Sequence, residues 1–97
     1  MSERLYVVTY DIADPKRGRA IFKLMSGYGE WLQLSIFQCR LSRRHHATLV
    51  AELEELLHHR EDHVVIMDLG VADRVKPRVV SLGKSPFQPV EKKPVII

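Results

Sequence analysis

The run Leu5-Tyr6-Val7-Val8-Thr9-Tyr10-Asp11-Ile12 constrains the fold more than any other part of the chain. It is dense in β-branched and aromatic side chains and carries no charge until Asp11, the pattern of a largely buried strand. Asp14-Pro15 follows, a favoured N-cap ahead of a proline suited to the first helical position, so a helix starts there. Ile21, Leu24, Met25 and Tyr28 share one face of that helix, while Lys16, Arg19 and Lys23 fall elsewhere. Gly27 and Gly29 are expected to close it.

Trp31 to Cys39 is extended, either as one long strand or as two short ones bent near Ser35; periodicity leaves both open. Ser42 is the N-cap of a second helix with the stripe Leu49, Val50, Leu53, Leu56 and Leu57. A strand over Val64 to Gly70 comes next, and Val79-Val80-Ser81-Leu82 is a candidate for a further short one. Pro86, Pro89 and Pro94 then punctuate an extended arm that ends in Val95-Ile96-Ile97. That triplet suits an edge strand added to a partner subunit. The order fits an α+β fold, a ferredoxin-like β-α-β-β-α-β plait, provided the middle segment supplies two strands. A doubly wound fold needs more strands than are found. The expected division is a ferredoxin-like domain over residues 1–83 and a C-terminal arm over residues 84–97.

Ninety-seven residues, 45% of them hydrophobic, suit one folded domain. The apolar stretches are too short to span a bilayer, and the first residues lack the pattern of a signal peptide, so a cytoplasmic protein without a membrane partner is expected. The single cysteine, Cys39, excludes an intrachain disulfide and a cysteine zinc cluster, and reads as a small buried residue. The net charge of +3 is unevenly spread. Residues 1–50 hold eight Lys/Arg against four Asp/Glu, whereas residues 51–97 hold seven against eight. Such asymmetry suits a phosphate-facing surface.

No Gly-rich phosphate loop, nucleophile elbow or zinc-protease motif is present. The five histidines, including the pairs His45-His46 and His58-His59, read as solvated surface residues. Asp11 stands out at the end of an otherwise apolar strand. It is either a hard-metal ligand or an acid bonded to the N–H groups of its own turn. A magnesium site wants more than one carboxylate or a substrate phosphate. Asp14 is spent on capping. Asp68 belongs at the opposite end of the sheet, because the first and last strands of such a plait run antiparallel. Two copies of Asp11 meeting across a dimer axis would remedy the shortage. Lys16, Arg17 and Arg19, with Arg40, Arg43 and Arg44, are candidates for phosphate contacts independent of sequence.

These segments closely resemble the CRISPR-associated protein 2 family. The resemblance rests on Val7 to Ile12, on Asp14-Pro15-Lys16-Arg17 and on Gly27 to Cys39, and continues through Asp68-Leu69-Gly70, Ser81-Leu82-Gly83 and Val95-Ile96-Ile97. It implies a ferredoxin-like homodimer whose C-terminal arms exchange strands, with Asp11 as a metal-associated aspartate facing its twin. It also implies an endonuclease dependent on Mg2+ or Mn2+, acting on RNA or double-stranded DNA within CRISPR adaptation. The alternative it carries is a non-catalytic DNA-binding scaffold bridging the CRISPR integrase, CRISPR-associated protein 1. Gly18 between Arg17 and Arg19 departs from the paired arginines frequent in the family, which leaves open which arginine matters. The virulence-associated D interferases share the expected fold. No general base stands out in the sequence.

Overall fold

The structure, a computed structural model, describes residues 2–83. The elements run β1 (Arg4–Asp11), α1 (Pro15–Ser26), β2 (Glu30–Gln33), β3 (Ile36–Leu41), α2 (Arg43–Leu56) and β4 (His63–Val71). The sheet order is β2-β3-β1-β4, with every neighbouring pair antiparallel. Both helices pack on one face, where Val8, Phe37, Cys39 and Leu41 of the sheet meet Ile21 and Met25 of α1 and Leu49 and Leu53 of α2. These are the α+β fold and the strand-helix order expected of the plait. No helix among the described residues is long and apolar enough to cross a membrane.

The local chemistry follows the expected signals at most junctions. Asp14 caps α1 by accepting the Arg17 N–H at 2.8 Å, with Pro15 at the start of the helix. Ser42 caps α2 by accepting the His45 N–H. The extended segment resolves into two strands, turning at Leu34-Ser35. Leu34 takes a left-handed φ of 44°, and its carbonyl accepts the Trp31 indole N–H at 2.8 Å.

Gly27 sits in ordinary right-handed conformation, so its special freedom is not what ends α1. Gly29 is the constrained position. Its N–H still bonds the Met25 carbonyl at 3.0 Å. A Cβ there would lie 2.5 Å from Cys39 Sγ and closer still to the Gln38 carbonyl oxygen. The helix exit is thus pressed flat against β3.

The expected strand at Val79 to Leu82 is absent from the described residues. A turn follows Val71, closed by the Arg74 and Val75 N–H groups on the Val71 carbonyl, and beyond it residues 75–83 form no strand with the described residues. Val80 and Leu82 are accordingly more than four-fifths exposed. The C-terminal arm over residues 84–97, and its exchange in a dimer, lie outside the described residues.

Candidate functional site

Asp11 is the last residue of β1, exposed, and paired in register with His63, the first residue of β4. Residues directly opposite in an antiparallel ladder point to the same face, so Asp11 and His63 stand side by side. That face is the one the helices do not cover, and it also presents Val65 and Met67, both exposed.

The turn from Asp11 into α1 is held without Asp11. Ala13 N–H donates to Asp62 Oδ1 at 2.9 Å, and the Asp14 side chain serves the cap. Asp62, sealed from solvent on the loop before β4, is the hub. It also accepts from His58 N–H at 2.9 Å and takes a two-pronged contact from Arg17, with Nε at 2.5 Å and Nη2 at 3.0 Å. Glu61 adds a longer contact to the same guanidinium, at 3.3 Å. The Arg17 hydrogen bonds, helped by the two backbone donors, hold the Asp62 carboxyl well below the usual carboxylate range. The open question about Asp11 is thereby narrowed. Its carboxylate makes no hydrogen bond or ion pair with the described residues, so it is free to meet something from outside the chain.

No group of three or more metal-ligating side chains exists among the described residues. Asp68 pairs with Tyr6, five positions up β1 from Asp11, which is roughly 17 Å along a strand. It is engaged there by Arg4 at 3.0 Å and by Gly70 N–H at 2.9 Å, which lower its pKa, Arg4 foremost. Asp68 faces Arg4 because its ladder partner Tyr6 shares a face with Arg4, two residues away on β1, and a β-bulge skips Leu69 beside it.

The structure divides the six candidate phosphate-binding residues twice over. By position, Lys16, Arg17 and Arg19 lie at the Asp11 end. Arg40 pairs with Leu5 near the other end of β1, and Arg43 and Arg44 follow just beyond that end, at the start of α2. By engagement, Arg17 is bound to Asp62, and Arg40 is bound to Glu3 at 2.9 Å and to Asp73. Lys16, Arg19, Arg43 and Arg44 are exposed, with no carboxylate partner among the described residues. One expectation about the histidines is corrected: His46 is half-buried and stacks on Tyr6 at 4.4 Å, a contact set by tertiary packing. Burial does push the Cys39 thiol up to about 12, as suits a small core residue rather than a nucleophile.

Sequence reasoning gave Asp62 no role and read His63 only as a surface histidine. The antiparallel return of the last strand was the available signal for both, since it brings the start of that strand to the end of the first.

Comparison with known proteins covers nearly the whole chain. Residues 4–76 match the family model described as CRISPR associated protein Cas2. A CRISPR-associated endoribonuclease Cas2 from Geobacter sulfurreducens is 50% identical over 95 residues, covering 98% of this chain and 99% of that protein. Another, from Rhodospirillum rubrum, is 50% identical over 96 residues, covering 99% and 93%. Among solved structures, a hypothetical protein from Thermus thermophilus superposes with a TM-score of 0.75 at 35% identity, over 88% of this chain and 96% of that one. Streptococcus pyogenes Cas2 gives 0.71 at 28% identity, over 81% and 99%.

Proposed function

The chain belongs to the CRISPR-associated Cas2 family, and on that premise we propose that it is a metal-dependent endonuclease of CRISPR adaptation, acting as a homodimer on RNA or double-stranded DNA. The observation that carries the reading is the exposed Asp11 carboxylate, without a partner among the described residues, on the uncovered face of the sheet beside a turn that other residues hold in place.

The residues present fit a hard divalent cation, in the incomplete way the sequence anticipates. A single exposed carboxylate is a suitable oxygen donor for Mg2+ or Mn2+, and a second Asp11 from a partner would give the pair such an ion prefers. An ion bound there supplies polarisation of a phosphate and acidification of a water. The chain's own groups do the rest. Lys16 and Arg19, in the first turns of the helix that follows Asp11 and without a carboxylate partner among the described residues, hold phosphate oxygens. His63, neighbouring Asp11 across the ladder, is placed to carry a proton to or from the reacting phosphodiester. Asp62 and Arg17 fix the turn between these groups.

The non-catalytic reading, a DNA-binding scaffold bridging the CRISPR integrase, is favoured by the second pair of free cations. Arg43 and Arg44 lie too far from Asp11 to serve cleavage and suit a long duplex laid across the molecule. Cleavage of labelled RNA and duplex DNA by wild type and Asp11→Ala, purified in parallel with Mn2+ or with chelator, separates the two. Cleavage lost with the metal and with Asp11 supports the enzyme. Equal cleavage by both proteins, or none by either, refutes it and leaves the scaffold.

A further inference from the structure

Trp31 is more than half exposed on β2, and Phe22 of α1 is two-fifths exposed beside it. Large aromatics left in solvent at this density mark a contact surface rather than a packing remnant. Their geometry is fixed. The rings meet edge to face, centroids 6.2 Å apart at 64°, and the indole N–H is already committed to the Leu34 carbonyl. The hydrogen-bonding edge of Trp31 is therefore spent, and its π surface is what remains to offer. Behind the pair the aromatic contacts continue inward, from Phe22 to Phe37 at 5.3 Å and from Phe37 to Tyr10 at 6.3 Å. Tyr10 adjoins Asp11, and its N–H bonds the Ser35 carbonyl of the β2–β3 turn. The exposed pair and Asp11 thus share one end of the sheet, Trp31 on its helix-covered face and Asp11 on the uncovered one.

The charge around the pair points to the occupant. α1 carries Lys16, Arg17, Arg19 and Lys23 and no acid. Arg19, one helical turn before Phe22, lies on its side of the helix. Glu30 neighbours Trp31 on β2, but successive strand residues point to opposite faces, so its carboxylate is turned away.

We propose that Phe22 and Trp31 form a stacking platform for an unpaired nucleobase, with Arg19 taking the adjoining phosphate. The proposal deepens the nucleic-acid reading above and rests on it, adding that the strand presented at this end is single. Rings stack on any base, so the platform confers a preference for unpaired over paired nucleotides rather than for a base sequence.

Trp31 is the chain's one tryptophan, so its emission reports on the platform alone. The full-length chain, kept in chelator so that nothing is cleaved, is titrated with a ten-nucleotide oligouridine and with an abasic sugar-phosphate oligomer of the same length. The base-bearing strand is expected to quench the emission saturably and the abasic one to leave it unchanged. By anisotropy of a labelled strand, Trp31→Ala weakens binding about tenfold, as loss of one stacked base should, and Trp31→Phe retains most of the affinity. Equal affinity in Trp31→Ala overturns the proposal, and so does equal quenching by the abasic oligomer. An emission change on diluting the protein alone assigns the rings to a second copy and overturns it too. Quenching without cleavage by metal-loaded protein sinks the enzyme reading and leaves the platform standing. Absence of any binding removes both.

Discussion

Gly29→Ala is the sharpest test of how the chain is held together at the site's edge. The added methyl would sit 2.5 Å from Cys39 Sγ, closer to the Gln38 carbonyl oxygen, and 3.1 Å from the Gln38 carbonyl carbon. An ordinary contact needs about 1 Å more. Neither obstacle can swing aside alone, because Gln38 is laddered to Val7 on one side and to Glu30 on the other. Overpacking of this kind costs about 1–3 kcal/mol. Loosening the Gly29 N–H to Met25 carbonyl bond adds about 1 kcal/mol. Replacing glycine returns about 0.4–1 kcal/mol by narrowing the unfolded ensemble. The expected net loss is about 2 kcal/mol, or a fall in Tm of about 8–16 °C for a domain of this size. Urea unfolding followed by Trp31 emission measures it, at one fixed protein concentration so that any self-association is held constant. Cys39→Ala in the same background should return only part of the loss, since the carbonyl remains. A net loss below about 0.5 kcal/mol would refute the reasoning, by showing that β2 and the helix exit shift freely away from β3.

Three further outcomes are expected. Replacing His63 by Ala should lower kcat about 10²-fold while leaving nucleic-acid affinity close to wild type, checked by single-turnover cleavage; an unchanged kcat removes the proton-transfer role. For oligouridine binding, Arg19→Gln should make the slope of log K against log salt shallower by about 0.7, and Arg17→Gln should leave it unchanged, because Arg17 is already held by Asp62. Asp62 has its pKa depressed in the folded state, so its stabilisation is complete above the ordinary value of 3.8 and is lost as the pH falls below it. Acid unfolding of Arg17→Gln should therefore show a weaker fall in stability below pH 3.8 than wild type, and a parallel curve would mean that Asp62 owes little to Arg17.

Much of this was legible from the chain. Buried strands, two helix caps and an acid at a strand end are local signals, and Asp14, Ser42 and Asp11 stand where local chemistry puts them. The antiparallel argument that sent Asp68 to the far end also holds in the register of β1 with β4. What escaped depends on residues distant in sequence. Arg17 reads as a free cation until the loop before β4 delivers Asp62 to it, 45 residues later. Arg40 is likewise neutralised from Glu3 and Asp73, on either side of it in sequence. Gly29 looks like an ordinary helix stop, and only the closeness of β3 shows that its missing side chain matters.

The central position of β1 bears on how the protein is made. This strand is made before the other three, yet one of its two ladders is completed by β4, where Arg4 pairs with Val71. The β1-α1-β2-β3 portion can assemble while synthesis continues, but one side of β1 then stays unpaired until residue 71 has emerged. During that interval the nascent chain presents an apolar edge open to any passing strand. A pause between α2 and β4 would prolong that exposure, so codon changes that slow synthesis there should lower soluble yield without altering any residue, and a premature stop there, which removes β4, should abolish it.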